Sequence, residues 1–393
     1  MAERKAIRLG SVVRTNVSTY SEKEGWAFVN YLDTGNITQD TISEIQRINV
    51  GTDKLPSRAR RKVQIGNIIY STVRPNQLHY GFIKSQPDNF LVSTGFAVID
   101  VNEKEAVPEY IYYFLTHRDV TERLQAIAEQ STSAYPSIKP SDIEDLTIDL
   151  PPIEEQRKIV GLLKMLDGKI KQNTEINNNL LQQAQAVFAK EFLSFDTTPE
   201  GWKESSLLGI ADYLNGLAMQ KFRPKDGENG LPVLKIKELR QGSCDASSEL
   251  CSPSIKKEYI VHDGDVIFSW SGSLLVDFWC GGTCGLNQHL FKVTSTSFDK
   301  WFYFAWTDHH LQKFAAIAAD MATTMGHIKR EELAKAEVLV PPQAEYERIG
   351  GLLAPIYDLV VANRIENRKL ATLRDELLPR LMSGDLDVSE VSL

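Results

Sequence analysis

The sequence predicts an α+β chain with an internal pseudo-two-fold duplication: two mixed α+β domains joined by two long, antiparallel coiled-coil helices. Three observations predict it. Residues 138–192 align without a gap with residues 328–382 at a constant offset of 190, and twelve of the 55 positions are identical. Each copy carries a strand-like run ending in Pro-Pro, followed by apolar residues in steps of three and four, a helical seam. Upstream of each copy lie short β-branched and aromatic runs broken by Gly, Asn, Asp and Pro, the punctuation of strands and turns. A period of 190 is too long for a solenoid and marks duplication of a whole domain with its tail.

Residues 1–150 form the first domain. The runs GNIIYSTVR and NFLVSTGFAVIDV are β-branched and aromatic, while residues 108–130 read as helical. Residues 151–196 form the first arm. IEDLTIDLPP ends a strand at two prolines, which suit a helix N-terminus. The seam then runs Leu163, Leu166, Ile170, Leu180, Ala184 and Val187, with Asn173 and Asn177 at the two remaining seam positions. Residues 197–340 form the second domain, with DVIFSW and LFKVTSTS as strands and residues 299–319 as a helix. Its Gly264-Asp265-Val266-Ile267-Phe268-Ser269 echoes Gly66-Asn67-Ile68-Ile69-Tyr70-Ser71.

Residues 341–393 form the second arm and tail. Here the seam is Leu353, Ile356, Val360, Leu370 and Leu377, interrupted by Arg374, with Asn363 and Asn367 at the same openings. Buried Asn in a coiled coil costs stability but fixes register. Four Asn at matched positions suggest that the two helices pack on each other about a pseudo-dyad; the alternative is two unrelated surface helices with solvent-facing Asn. Gly168 and Pro355 predict a kink or early break, and Pro379 should end or bend the second helix.

Composition limits the function. The chain has 393 residues, with Lys plus Arg at 44 against Asp plus Glu at 52, a net charge of -8. A nucleic-acid binder acting alone is usually basic, so either nucleic acid is not the partner or a second protein completes the charge. No apolar leader and no stretch approaching 18 apolar residues is seen, so no membrane span is expected. The four cysteines, all between Cys244 and Cys284, lack the spacing of structural zinc and read as thiols in a reducing cytoplasm.

Motifs of catalysis are missing. There is no phosphate loop, no dinucleotide-binding glycine fingerprint, no nucleophile elbow and no H-E-x-x-H. Amino-methyltransferases carry Pro-Pro followed by an aromatic residue beside the target amine. The Pro-Pro pairs here sit in LPPI and VPPQ.

A diverged α+β domain, a strand, Pro-Pro, a Glu-bearing start and a long helix, all repeated once, resemble the specificity subunit of type I DNA restriction-modification systems. LPPIEEQRKIVGLL at 150–163 is close to that family's Leu-Pro-Pro-x-x-Glu-Gln opening. VPPQAEYERIGGLL keeps Pro341, Pro342 and Glu345 but has Tyr346 where Gln is usual. The C-terminal LLPRLMSGDLDV is similar to the family's tail. The resemblance implies that each globular domain is a target recognition domain reading one half of a split double-stranded DNA site. The helices would set the spacing between half-sites. It also implies a chain without catalysis or cofactor. Two modification subunits would bind S-adenosylmethionine, and restriction subunits would use ATP. Pro151, Pro152, Glu155, Gln156, Pro341, Pro342 and Glu345 would dock the modification subunits. Two other readings remain: a protein-only coiled-coil adaptor, and a single-chain methyltransferase or nuclease, against which the missing motifs count.

Base reading in the major groove uses Arg or Lys on guanine and Asn or Gln on adenine, while phosphates take cations and hydroxyls. The first domain offers Arg58, Arg60, Arg61 and Lys62 in a run that also reads as a solvated turn. It further offers Arg74, Asn76, Gln77, His79 and Tyr80, then Ser131, Thr132, Ser133 and Tyr135 in a loop before Ile138. The second offers Gln220, Lys221, Arg223 and Lys225, then Lys235, Lys237 and Arg240. Ser269, Trp270, Ser271 and Ser273 follow, and Thr323, Thr324 and His327 precede Ile328. Trp270 reads equally as core.

Overall fold

A computed structural model describes residues 4–131, 135–320 and 328–388. The chain folds as two compact units, 1–166 with 373–393, and 167–372.

In the first unit an antiparallel sheet has the order Val13–Thr15, Phe96–Val101, Ile68–Ser71, Tyr80–Phe82. A second sheet has the order Gln46–Asn49, Phe28–Leu32, Phe90–Ser93, Ala59–Lys62, and its two central strands are parallel. Lys5–Arg8 pairs with Thr147–Leu150. The central strand Ile68–Ser71 is buried throughout. Alternation sends Ile68 and Tyr70 toward the helices Pro108–Thr116 and Arg118–Glu129, and Ile69 toward Leu32, Phe90 and Val92 of the second sheet. A strand covered on both faces reads as an unbroken apolar run, as Ile68-Ile69-Tyr70 does here.

The second unit repeats the plan. Its antiparallel sheet runs Asp212–Asn215, Leu290–Thr294, Val266–Ser269, Leu275–Phe278. Its other sheet runs Leu250–Cys251, Leu231–Leu234, Cys284–Leu286, Ile260–Val261, again with a parallel central pair. Lys203–Ser206 pairs with Glu337–Val340. The strand echo holds in register: Ile68 faces Ile99 and Val266 faces Val293, while Ser71 faces Phe96 and Ser269 faces Leu290. Val266 and Phe268 pack toward the helix Lys300–Asp320, and Ile267 toward Leu234, Trp279 and Leu286. The four cysteines are free thiols, three of them buried.

The long helices are Ile153–Phe192 and Gln343–Ser383, 40 and 41 residues, each about 60 Å at 1.5 Å per residue. Both are continuous, so of the kink or early break expected at Gly168 and Pro355 the break does not occur. Gly168 and Pro355 lie inside them, and Pro379 sits a turn before the second one ends. An interior proline costs about 3 kcal/mol. Buried Leu353, Tyr357 and Val360 flank Pro355, and each large buried apolar side chain returns about 1.5–3 kcal/mol, so packing outweighs the lost hydrogen bond.

Within the second unit the helix segments 167–192 and 343–372 run antiparallel, and the four Asn join them. Asn173 Nδ2 donates to Asn367 Oδ1 at 2.9 Å, and Asn363 Nδ2 donates to Asn177 Oδ1 at 2.8 Å. Asn367 Nδ2 also reaches Ile170 O at 3.2 Å, and Asn177 Nδ2 reaches Val360 O at 3.3 Å. Under the offset of 190 each of these pairs of bonds maps one onto the other, so the local two-fold axis passes beside Glu175 and Ile365. Asn173 is 1% exposed and also donates to Glu366 at 2.6 Å. A buried amide with its donors used costs little, whereas slipping the helices by a turn would orphan several donors at once.

Candidate nucleic-acid interface

In each domain the strand directions bring a set of loops to one end. In the first, Phe28–Leu32, Phe90–Ser93 and Ile68–Ser71 finish where Ala59–Lys62 and Phe96–Val101 begin. Backbone bonds tie these loops together: Thr94 N–H to Arg58 O, Thr72 N–H to Gly95 O, Arg74 N–H to Pro136 O and Ile138 N–H to Thr72 O, at 2.8–2.9 Å. The Arg74 guanidinium lies over the Tyr135 ring, 5.1 Å from its centroid, and Tyr135 is 58% exposed. Arg74 and Leu78 have φ of 49° and 57° and flank the short turn Pro75–Gln77, which holds Asn76 and Gln77 exposed. Non-glycine residues in the left-handed region carry strain that the surrounding bonds must hold. His79 lies at the same end, half-buried, with Nδ1 donating to Ile37 O at 2.6 Å.

The second domain has the same end. Ile328 N–H donates to Trp270 O at 3.0 Å, the counterpart of Ile138 with Thr72. Trp270 Nε1 donates to Asn215 Oδ1 at 3.2 Å, and Ser269 Oγ to Ser271 O at 3.3 Å, as Ser71 Oγ does to Val73 O. Ser273 is half-buried in the same loop. The polar triplet Asn287, Gln288 and His289 joins this end and was missed in the sequence, where GLNQHLF offers only a polar break between two strands.

The basic run is an edge strand, not a turn. Arg60 pairs with Glu22 at 3.0 Å, and Lys62 pairs with Glu24 while lying 5.2 Å from the Trp26 ring centroid. The Lys62 ammonium holds the Glu24 carboxyl below its usual range. Arg58 and Arg61 have no carboxylate partner among the described residues; the Arg61 Nε is buried without a hydrogen bond, and burial lowers its pKa. In the second domain Glu249 takes both Arg223, at 3.2 Å, and Lys235, at 2.6 Å, while Lys237 lies 3.5 Å from Asp245. Ser247 hydrogen bonds hold that Asp245 carboxyl down to about 2. Gln220, Lys221, Lys225 and Arg240 are exposed. Five of the eleven predicted cations, Arg60, Lys62, Arg223, Lys235 and Lys237, are therefore paired with a carboxylate within their own domain.

Several expectations need correcting. Tyr80 is in the core, 6% exposed and stacked 5.8 Å from Tyr70, and burial raises its pKa. Ser269 and Ser271 are buried as well, Ser271 at 1%. Ser131 is half-buried, its Oγ accepting Ser137 N–H at 3.3 Å. Thr132, Ser133, Thr323, Thr324 and His327 lie outside the described residues.

Among the expected docking residues, Pro151 and Pro341 are buried, whereas Pro152 and Pro342 are exposed. Gln156 is fully buried. It accepts Val107 N–H at 2.8 Å and donates to Pro151 O at 2.8 Å. It thereby pins the start of the long helix to the residue that caps Pro108–Thr116. Glu155 pairs with Arg4, whose guanidinium also reaches Leu381 O at 3.0 Å. Glu345 pairs with Arg348 at 2.8 Å.

Tyr346, the departure from the expected Gln, does Gln156's work by other means. Its Oη accepts Asp299 N–H at 2.8 Å, and Asp299 immediately precedes the helix Lys300–Asp320. The ring packs 5.0 Å from Trp301 and 5.3 Å from Phe302.

A family model for the type I restriction modification DNA specificity domain matches the chain twice, over residues 7–182 and 199–374. The chain belongs to that family. Among its relatives are the type I restriction enzyme HindI specificity subunit of Haemophilus influenzae, 23% identical with 98% of this chain and 100% of the relative covered. The MjaIX specificity subunit of Methanocaldococcus jannaschii is also 23% identical, covering 98% of this chain and 93% of its own length. The crystal structure of a type I restriction-modification S subunit from M. genitalium shares the fold, with a TM-score of 0.55 at 13% identity over 97% of this chain and 96% of that one. No helix among the described residues is long and apolar enough to cross a membrane.

Proposed function

We propose that this chain is the non-catalytic DNA-specificity subunit of a type I restriction-modification complex. Each recognition domain reads one half of a bipartite double-stranded target, and the long helices set the spacing between the halves. The observation that carries this reading is the duplicated loop-bearing end: one strand order, used twice, presents two different sets of polar and aromatic side chains. A single methyltransferase site would not need two such ends.

In this reading two modification subunits bind the chain and hold S-adenosylmethionine, and restriction subunits holding ATP complete the assembly in the cytoplasm. The chain itself takes neither cofactor. The docking surface lies on exposed faces of the helices, with Pro152 and Pro342 at their openings, since Gln156 and Glu155 are used internally.

The net charge of -8 and the pairing of Arg60, Lys62, Arg223 and Lys235 with carboxylates reduce the phosphate affinity of the free chain. It should bind DNA weakly alone and tightly, with a steep salt dependence, only with its modification subunits. Reconstitution with those subunits tests the reading. A complex that neither binds nor methylates a split, non-palindromic site overturns it. Exchanging residues 1–140 for those of another family member should change one half-site, and an unchanged target would favour a protein-only adaptor.

A further inference from the structure

The backbone of the triplet Asn287, Gln288 and His289 is tied to two neighbouring segments of the second domain. Gln288 N–H donates to Leu217 O at 2.9 Å, and Asn287 N–H to Leu234 O at 3.2 Å. Gly216 allows this approach: a Cβ there would stand 2.3 Å from Asn287 O. The side chains form a relay. Gln288 Nε2 donates to His289 Nε2 at 3.3 Å, which makes Nδ1 the protonated ring nitrogen, 3.3 Å from the buried Ser271 Oγ. The His289 ring lies 6.2 Å from Trp270, so it is held on two sides.

This relay uses one of the four hydrogen-bonding positions on the Gln288 carboxamide and fixes its plane. One N–H and both lone pairs of Oε1 are left over, with no other partner among the described residues. That pair, one donor beside one acceptor, is what the major-groove edge of adenine asks for: N7 accepts and N6 donates. The corresponding turn of the first domain is Thr94-Gly95 and carries no amide.

We propose that Gln288 is a base-reading residue of the second domain, specific for an adenine in its half-site, with His289 and Ser271 as positioning residues. This rests on the DNA-reading function proposed above.

The test uses the full chain assembled with its modification subunits and a selection from randomised duplex DNA. The half-site belonging to the second domain is the one that changes when residues 197–340 are exchanged. Wild type should show an adenine there. Gln288→Ala and Gln288→Met should each lose the preference at that single position by about 5- to 150-fold and leave the other half-site unchanged. Gln288→Glu, left with acceptors only, should shift that position toward cytosine. His289→Phe should weaken the same preference, and restoring it would require a side chain that accepts at the Nε2 position. Thermal unfolding of each variant reports folding separately. A wild-type complex with no two-part motif defeats the DNA-reading function itself. A two-part motif without adenine in that half, or one that survives Gln288→Ala and Gln288→Met unchanged, overturns the role of Gln288 alone.

Discussion

The two recognition domains share their strand order pair for pair, yet the joints that fix them to the long helices are built from different chemistry. In the first, the Gln156 amide is sealed in the interior and touches backbone on both sides. In the second, the Tyr346 hydroxyl does the tethering while its ring adds to an aromatic cluster with Trp301 and Phe302. The first joint therefore depends on hydrogen bonds and the second on packing. The lesson is that duplication has preserved which backbone N–H is captured, at the cap of the neighbouring helix, rather than which residue captures it.

That contrast breaks most visibly at Gln156. Gln156→Ala leaves Val107 N–H and Pro151 O buried without partners, and should cost about 3 kcal/mol of stability, seen as a lowered denaturant midpoint with hydrogen exchange accelerated first in the 108–116 helix. Tyr346→Phe keeps the ring and loses only the hydroxyl, so the expected loss is about 1.5 kcal/mol. Equal losses at the two sites would mean the joints do not differ as described.

The helix seam offers a sharper contrast, because there the two copies are alike. Replacing the bonded pair Asn173 and Asn367 by Leu should raise stability by about 1 kcal/mol while loosening register, read in the reconstituted complex as tolerance of altered half-site spacing. Unchanged spacing together with unchanged stability would refute a register role.

The smallest effect concerns acid. Arg368 binds Asp263 through two contacts, at 2.8 and 2.7 Å, and holds its carboxyl below the usual range. A carboxyl depressed in the folded state contributes stability above its unfolded value, near pH 4, and loses that contribution as pH falls through the folded value. Asp263→Asn should be less stable than wild type at neutral pH, with the gap closing below about pH 4. The first unit has no such pair described at its corresponding turn.

Much of the architecture was legible in the letters because it is periodic. The offset of 190, the seam and the twin strands at Ile68 and Val266 each repeat a spacing that physics imposes. The continuity of the helices through Pro355 and Pro379 was not legible, since the penalty is local while the compensating burial of Leu353, Tyr357 and Leu381 is tertiary. The reading end was legible only in part. Arg74 and Tyr135 stood out, but Tyr80 opens an edge strand and Ser271 lies in a loop, and in neither place do the local letters show that tertiary packing covers the side chain. Gln288 escaped because its significance lies in what His289 and Ser271 do to its amide, which involves residues 17 positions apart.

The joint at Tyr346 also bears on how such proteins are recognised from sequence. The structure asks for an acceptor atom at one point in space, within reach of a helix-capping N–H. An amide two bonds beyond its Cβ or a phenol across a ring satisfies that demand equally well. Members that have exchanged one for the other remain mechanically equivalent, so a search anchored on the glutamine would pass over half of this molecule while its architecture stayed intact.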